Sequence, residues 1–183
     1  NSSEDQVGTS YVNKVESRII TNEVVPSLIK SNKIKESDIA IIAPYSGQAN
    51  IIRKELLKKD INGIEVATLD SFQGREVKVM VFTFTRSSHR KVGFLDDARR
   101  LNVAFSRPET KLILVGNSST LTNSKSHYDT YYTKLFEKLI SHADKNGIFI
   151  SGIKKFNRIL KNNQKYTIGS LHRGKVTRLE SWC

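Results

Sequence analysis

Short, almost continuously apolar runs alternate with longer helix-like stretches along this chain, and this alternation constrains its fold more than any other feature. Ile39–Ala43 reads IAIIA and Val77–Phe84 reads VKVMVFTF, so apolar residues follow one another with few interruptions. Such runs suit strands that are covered on both faces, as in a parallel sheet. The sequence therefore predicts a mostly parallel sheet with helices packed against both faces.

The remaining elements follow the same order. Further strands are predicted at residues 65–69, 112–115 and 148–150, and helices at residues 11–30, 47–58, 96–106 and 128–143. Short connections between them favour a doubly wound α/β fold. In such sheets ligands bind beyond the carboxyl ends of the strands. This rule directs attention to the segments that follow strands, which are Pro44–Gln48, Asp70–Glu76, Arg86 and Gly116–Asn117.

The charge balance favours a polyanionic partner. Thirty lysines and arginines stand against 18 acidic residues, which gives a net charge of +12. Nucleic acid, nucleotide and an acidic membrane surface all fit that excess. Much of it lies in residues 151–183, where eight basic residues face Glu180 alone and aromatic residues such as Tyr166 and Trp182 interleave with them. This tail is either a single-strand stacking surface or a solvated linker.

Other classes of protein are disfavoured. The only cysteine is Cys183, which excludes a disulfide framework and a cysteine zinc site, and the four histidines have no metal-ligand spacing, so we expect no metal site in this chain. No apolar run approaches the ~20 residues that cross a bilayer. We therefore expect no membrane contact and an intracellular protein, cytoplasmic or, in a eukaryote, nuclear.

Two segments that follow strands carry residues suited to ligands. In Pro44–Gln48 (PYSGQ), Tyr45 could stack on a base, and Ser46 is expected to cap a helix whose free amides could bind phosphate. In Val66–Val77 (VATLDSFQGREV), a polar loop joins two apolar strands, and Gly74 permits close approach of a backbone.

The third segment, Gly93–Asn117, predicts a helix that ends in an arginine. Ala98, Leu101 and Phe105 form an apolar stripe, and Arg100 and Arg107 lie roughly opposite it. Pro108 disfavours helical geometry at the preceding residue, so the helix should end at Arg107. An arginine fixed at such an end can reach a phosphate across a cleft, as arginine fingers do.

Taken together, these segments resemble the superfamily 1B helicases, the group of the up-frameshift RNA helicase and senataxin. PYSGQ is similar to motif IV, LDSFQGRE to motif V, and RRLNVAFSR with LILVGN to motif VI and its strand; GTSYVNKVESRII resembles the entry to the same domain. The resemblance covers about Gly8 to Ile150. It implies a RecA-like three-layer α/β/α fold of the P-loop NTPase class, with residues 1–150 as the second motor domain and residues 151–183 as a basic extension or linker.

The resemblance also implies roles for individual residues in an ATP site between two RecA-like domains. Tyr45 would contact adenine, Gly74 the terminal phosphates and Glu76 the ribose, and the catalytic set would be Arg107 as the finger with support from Gln73 and Arg100. The nucleic-acid strand would be bound by three hydroxyl residues, Ser46, Thr68 and Ser71, and Arg86 matches a frequent family arginine without an assigned role.

Two departures from the family pattern qualify this assignment. Residues 106–109 read SRPE where the family has Thr-Arg-Ala and a basic residue, and Pro108 could re-aim Arg107. The chain has no Gly-Lys-Ser/Thr loop and no Asp-Glu pair that ends a strand, so the phosphate loop and the Mg²⁺ ligands are expected in an amino-terminal RecA-like domain of the same polypeptide. We expect this chain alone not to hydrolyse ATP.

The sequence thus predicts the second motor domain of an ATP-dependent helicase that translocates on and unwinds nucleic acid, acting as a monomer. The alternative is a non-catalytic nucleic-acid-binding or regulatory module with a helicase-derived fold. A third possibility, a helicase fused to a nuclease, would need carboxylates outside this chain. The choice between single-stranded DNA and RNA stays open, and a 5′ to 3′ polarity rests on the resemblance alone.

Overall fold

The computed structural model describes residues 4–30, 34–87, 98–123, 136–142 and 145. The strands are β1 (Asp5–Val7), β2 (Ser10–Val12), β3 (Ile39–Ala43), β4 (Glu65–Thr68), β5 (Val77–Thr83) and β6 (Pro108–Val115). The α-helices are α1 (Lys14–Ile19), α2 (Val25–Lys30), α3 (Ser46–Leu57), α4 (Ala98–Phe105) and α5 (Ser118–Asn123), and residues 136–142 are also helical. A π-helical turn (Ile20–Val24) joins α1 to α2, and 3-10 turns cover Glu36–Asp38 and Asp70–Phe72.

Four of the strands form one parallel sheet in the order β4-β3-β5-β6. All five residues of β3 are buried, as its continuous apolar sequence predicts for a central strand. The prediction of a parallel α/β fold is confirmed. Strand β6 begins at Pro108, four residues earlier than expected, because proline is tolerated at the first position of a strand, where its missing N–H breaks no ladder bond.

Helices cover both faces of this sheet. Alternate residues of β3 point to opposite faces, so Ile41 belongs to an apolar cluster with α3 and the α1–α2 region, and Ile42 belongs to a second cluster with α4, α5 and Phe136. Four phenylalanines of the second cluster meet edge to face, with ring centroids 5.1–6.5 Å apart. The expected three-layer α/β/α arrangement of a RecA-like domain is confirmed.

The prediction of one helix over residues 11–30 is wrong at its amino-terminal end. Ser10–Val12 form β2, which pairs with β1 in an antiparallel hairpin that turns at Gly8, whose φ is +60°. The helix begins at Lys14 because Oδ1 of Asn13 accepts from the backbone N–H groups of Val15 and Glu16, each at 3.1 Å. An asparagine in this position stops the helix from extending further back.

The predicted cap of α3 is also wrong. Tyr45, not Ser46, holds the N-cap position, and it makes no capping bond through its side chain. The hairpin supplies the bond instead, because the hydroxyl of Ser10 accepts from the N–H of Gly47 at 2.9 Å. A Cβ atom on Gly47 would lie 3.0 Å from that hydroxyl oxygen, so the absence of a side chain lets β2 pack against the start of α3.

Some predicted features lie outside the described residues. They are the strand at 148–150, residues 96–97 and 128–135 of two predicted helices, and the basic tail at 151–183. The division into residues 1–150 and 151–183 therefore stays a prediction. In the described part of the chain, no helix has both the length and the apolar composition needed to cross a membrane.

Candidate functional site

The four parallel strands finish at one end of the sheet, which we call its carboxyl end. There β3 and β4 stop side by side, with Ala43 paired to Thr68 and the N–H of Leu69 donating to the Ala43 carbonyl at 3.0 Å. Strand β5 stops next to them, and Phe84 N–H donates to Val115 of β6 at 2.9 Å. The segments that follow these strands, including Tyr45 and Arg86, are therefore neighbours in space.

Two of the hydroxyl groups that are predicted to bind nucleic acid bond each other at the carboxyl end of the sheet. The hydroxyl oxygens of Thr68 and Ser71 are 2.9 Å apart, and the Ser71 hydroxyl also lies 3.0 Å from both the backbone nitrogen and the carbonyl oxygen of Thr68. Ser46 is exposed in the first turn of α3. The three hydroxyl residues thus sit on the end of the sheet where ligands of α/β proteins bind.

Arg86 lies at the centre of an arginine–tyrosine cluster, which we define as Glu4, Tyr11, Tyr45 and Arg86. Its Nε donates to Glu4 Oε2 at 3.0 Å, and its Nη1 donates to the Tyr45 hydroxyl at 3.4 Å. Its guanidinium carbon lies 4.1 Å from the ring centroid of Tyr11, within cation–π range. Burial opposes the charge of Arg86, but the bonds to Glu4 and Tyr45 outweigh it and raise its pKa above the ordinary value, so Arg86 stays protonated.

A buried polar network, made of Asn13, Glu16, Gln48, Thr83 and Thr85, underlies this cluster. Oε2 of Glu16 accepts from the Thr83 hydroxyl and from the N–H of Thr85, and Oε1 accepts from Nδ2 of Asn13. Oε1 of Gln48 accepts from the Asn13 N–H at 2.7 Å, which ties α3 to the start of α1. All five residues are buried, with 3% or less of their surface exposed.

Glu16 has an unusual protonation equilibrium. Complete burial raises the pKa of Glu16 to about 7, although the hydrogen bonds from Thr83 and Thr85 favour its ionised form, and the nearby charge of Glu4 raises the pKa further. Burial wins because a carboxylate removed from water loses more solvation than three donors return. The carboxyl group therefore titrates near neutrality.

The opposite end of the sheet, its amino end, holds Arg107. The backbone carbonyl of Arg107 accepts from the N–H of Val77 at 3.3 Å, and Val77 pairs with Pro108 where β5 and β6 begin. Arg107 is half-buried, and its Nε has no hydrogen-bond partner among the residues that the structure describes. Pro108 thus fixes the backbone of Arg107 at the start of β6.

The loop from Asp70 to Glu76 connects the two ends. Gly74 adopts a φ of +81°, and a Cβ atom there would meet open space, so the backbone of this loop is accessible to a ligand. Gln73 and Glu76 are exposed beside it. Nη2 of Arg100 lies 3.6 Å from Oδ1 of Asp70, which joins α4 to the start of the loop.

The predicted nucleotide residues do not all lie together. Glu76 precedes β5 and Tyr45 lies beside Arg86, which follows β5. A strand of seven residues is about 20 Å long, so Tyr45 is remote from Gly74, Glu76 and Arg107, whereas those three share the amino end. The structure instead brings Tyr45 together with Ser46, Thr68 and Ser71.

Comparison with known proteins identifies the family of this fold. A family model described as "AAA domain" matches residues 1–119, which is more than half of the chain. The chain belongs to that family. Together with the relatives below, this places it among the superfamily 1B helicases of the up-frameshift and senataxin type, and the resemblance stated from the sequence is confirmed.

Several curated relatives carry helicase names. The fission yeast protein named "ATP-dependent helicase upf1" is 32% identical over 169 residues, which cover 86% of this chain and 17% of the relative. "Regulator of nonsense transcripts 1 homolog" of Arabidopsis thaliana is 33% identical over 79% of the chain and 11% of the relative. "DNA polymerase alpha-associated DNA helicase A" of Saccharomyces cerevisiae is 37% identical over 55% of the chain and 15% of the relative.

These matches establish a helicase-family domain and associate its family with ATP and nucleic acid. The chain spans less than a fifth of the length of each of these relatives. The activity of a complete polypeptide and the roles of individual residues are therefore matters of proposal.

Sequence analysis missed the buried polar network and the roles of Glu4 and Tyr11. One signal was present, because Asn13 and Glu16 have the spacing of a capping box. The structure differs from a standard capping box. Glu16 accepts from the side chain of Asn13 instead of from its backbone N–H, and that N–H donates to Gln48. The partners Thr83 and Thr85, almost 70 residues further along the chain, carry no such local signal.

Proposed function

We propose that this chain is the second motor domain of an ATP-dependent helicase, with the nucleic-acid strand bound at the carboxyl end of its sheet and the nucleotide at the amino end. The strand side comprises Ser46, Thr68, Ser71 and, in a changed role, Tyr45. An amino-terminal RecA-like domain of the same polypeptide would supply the phosphate loop and the Mg²⁺ ligands. ATP is the substrate of the motor, and its hydrolysis provides the free energy for movement.

One observation carries this proposal: a single short segment, residues 68–76, joins the two ends. Thr68 and Ser71 lie at the carboxyl end, and Gly74 and Glu76 lead to the N–H of Val77, which bonds Arg107. A motor must couple a change at its nucleotide to a change in its grip on the strand. A segment of nine residues that contributes to both sites provides a short covalent connection between them.

Arg107 is the residue best suited to act on the γ-phosphate. Its side chain is half-buried, its Nε has no hydrogen-bond partner in the described part of the chain, and its backbone is fixed between α4 and β6. An arginine held in this way can stabilise the charge that develops on a transferring phosphoryl group, an effect of roughly 10³–10⁵-fold where such residues act. Gln73 would support Arg107 from the loop, and Arg100, which pairs with Asp70, would hold the start of that loop against α4.

Tyr45 is better suited to the strand than to adenine. It lies beside Ser46 and shares the carboxyl end of the sheet with Thr68. Arg107 lies at the other end, about the length of one β-strand away. Hydroxyls and backbone N–H groups at that end would hold phosphates, and the tyrosine ring would stack on a base. The strand would then be bound without strong dependence on its sequence.

The test separates the two ends in the natural polypeptide that carries this chain. Arg107→Ala should lower the ATPase rate stimulated by single-stranded nucleic acid by about 10³-fold or more and leave strand affinity within a factor of about two. Tyr45→Ala should weaken strand binding by about 5-fold or more and leave the KM for ATP unchanged. Arg18→Ala, which removes an exposed arginine from α1, is the matched control.

Each outcome has a clear meaning. A full ATPase rate in Arg107→Ala removes the finger assignment, and a raised KM for ATP in Tyr45→Ala returns that residue to the adenine site. A wild-type protein that binds the strand but hydrolyses no ATP identifies a non-catalytic nucleic-acid-binding module instead. Parallel measurements with DNA and RNA oligonucleotides decide which polymer is the substrate.

A further inference from the structure

Arg86 is buried at the end of the sheet where the strand is proposed to bind, yet it is not free to bind a phosphate. Its side chain is only 8% exposed. Its Nε donates to Glu4, its Nη1 donates to the Tyr45 hydroxyl, and the ring of Tyr11 covers the guanidinium. Arginine is rarely buried unless it is paired, and each of these partners holds it in a fixed orientation.

The backbone that presents Arg86 is strained. Thr85 has a φ of +66°, and the N–H of Arg86 donates to the Phe84 carbonyl at 2.7 Å, so residues 84–86 form a three-residue turn. A β-branched residue in this region is an outlier, and such strain costs on the order of 1–3 kcal/mol. The turn therefore needs support from its surroundings.

The buried polar network supplies that support. Glu16 Oε2 accepts from the N–H of Thr85 at 2.8 Å, and Asn13 Nδ2 donates to the Thr85 carbonyl at 3.1 Å. Both backbone polar groups of Thr85 are thus satisfied by residues that are themselves buried. The consequence of the turn is that the chain reverses and Arg86 points under the two tyrosines.

The tyrosines form a pair above the arginine. The ring centroids of Tyr11 and Tyr45 are 5.2 Å apart with an interplanar angle of 66°, an edge-to-face arrangement, and both side chains are half-exposed. Half-exposed aromatic rings beside phosphate-binding hydroxyls are what single-strand binding surfaces use to stack bases. We call Tyr11 and Tyr45 the ring platform.

We propose that Arg86 is a positioning residue that holds the ring platform in the orientation needed to stack on bases of a single strand, and that Tyr11 contributes to this platform. This inference rests on the proposed function. Glu4 fixes the guanidinium, the guanidinium fixes the ring of Tyr11 and the hydroxyl of Tyr45, and the turn at Thr85 places Arg86 between them. Arg86 acts through the rings rather than on the strand.

A double-mutant cycle tests this inference in the natural polypeptide, with thymidine and uridine oligonucleotides as probes in the absence of nucleotide. Arg86→Met should weaken binding about 5- to 10-fold, and the same substitution should have less than a 2-fold effect when both Tyr11 and Tyr45 are already alanine. The slope of log affinity against log salt should stay unchanged, because Arg86 contacts no phosphate. Arg18→Met serves as the matched control.

An abasic oligonucleotide gives a second readout that simple damage to the fold would not reproduce. Arg86→Met should not change the affinity for this probe, which has phosphates but no bases. Arg86→Lys, which keeps the charge opposite Glu4 but loses the planar guanidinium, should keep the melting temperature near that of the wild type and still weaken binding to the base-containing probe.

Several results would overturn the inference and leave the proposed function standing. They are an equal effect of Arg86→Met in the presence and absence of the two rings, an equal loss of affinity for the abasic probe, or a salt slope reduced by about one. A wild-type protein that binds the abasic and the normal strand equally well would remove the ring platform and the stacking role of Tyr45, but not the assignment of a motor domain. Failure of the wild type to bind any strand would instead contradict the proposed function.

Discussion

The two ends of the sheet are built in different ways. At the carboxyl end the functional side chains rest on a buried polar network, and Arg86 has a partner on each side. At the amino end Gln73, Gly74 and Glu76 are exposed, and the buried Nε of Arg107 lacks a partner in the described part of the chain. Under the proposed function, the nucleic-acid site would be preformed within this domain, whereas only one side of the nucleotide site would lie in it.

The largest expected difference between the ends concerns stability. Glu16→Ala leaves three donors, on Asn13, Thr83 and Thr85, without their acceptor in a fully buried position. We expect it to lower the free energy of unfolding by roughly 3–5 kcal/mol, because each buried unsatisfied group costs about 1–3 kcal/mol. Glu76→Ala, its control at the amino end, should cost less than about 0.5 kcal/mol. Urea unfolding of both variants measures the contrast, and similar costs would show that the carboxyl end is not preformed.

The next effect is a pH dependence confined to the carboxyl end. The pKa of Glu16 is about 7 in the folded chain, against an ordinary value of 4.5. Because the folded pKa is the higher one, the stabilising contribution is complete below about pH 4.5 and is lost as the pH rises through 7. Relative to Glu16→Gln, the wild type should therefore lose up to roughly 3 kcal/mol between pH 4.5 and pH 8.

Glu16→Gln also has a cost that does not depend on pH, because its amide would meet Nδ2 of Asn13, and Oδ1 of Asn13 is already engaged as the helix cap. The difference between the two proteins should thus vary with pH while that constant penalty remains. Unfolding measured at several pH values separates the two contributions. Parallel pH profiles for the wild type and Glu16→Gln would mean that Glu16 does not titrate near neutrality.

A matched pair of glycine substitutions sharpens the comparison on a smaller scale. At the carboxyl end, a Cβ on Gly116 would lie 2.7 Å from Cδ2 of the buried Phe84, so Gly116→Ala should cost about 1–3 kcal/mol through overpacking. At the amino end, Gly74→Ala meets open space and should cost about 1 kcal/mol through its positive φ alone. Thermal unfolding ranks the two variants, and a larger loss at Gly74 would contradict the idea of an open loop.

The smallest expected effect concerns the ion pair that joins Asp70 to α4. Asp70 and Arg100 are 38–51% exposed and 3.6 Å apart, so their coupling free energy should be about 0.5 kcal/mol or less in a double-mutant cycle with Asp70→Asn and Arg100→Gln. We expect this coupling free energy to be larger at low salt, because dissolved ions screen an exposed ion pair. A coupling above about 2 kcal/mol would instead make this pair a rigid connection between the loop and α4.

The parallel sheet could be predicted because its strands are continuous apolar runs in the sequence. Ile39–Ala43 and Val77–Thr83 are apolar almost without interruption, and all five residues of the first strand and the last five of the second are buried. The hairpin could not be predicted in the same way, because Tyr11 and Val12 fit the apolar spacing of the helix that follows, and strands of three residues leave little periodicity.

The roles that the resemblance implies for the site residues stay predictions, whereas the structure gives the arrangement of those residues. The sequence already contained the information that separates Tyr45 from Glu76, since Tyr45 follows a strand and Glu76 precedes one. The resemblance assigns both residues to one nucleotide site, and this assignment stays a prediction. The burial of Glu16 could not be predicted from the sequence. A glutamate in the first turn of a helix ordinarily faces solvent, and the partner of Glu16 on β5 lies far along the chain.

Glu4 lies where a force on the polypeptide ahead of β1 would first act on the domain. Its carboxylate accepts both from Nε of Arg86 and from the N–H of Ser87, and it comes one residue before β1. A pulling force on the polypeptide ahead of β1 would load this ion pair before it reached any strand of the parallel sheet. Loss of this ion pair would release one side of the guanidinium that lies under the two tyrosine rings, so Glu4 is the point at which such a force would first reach the ring platform.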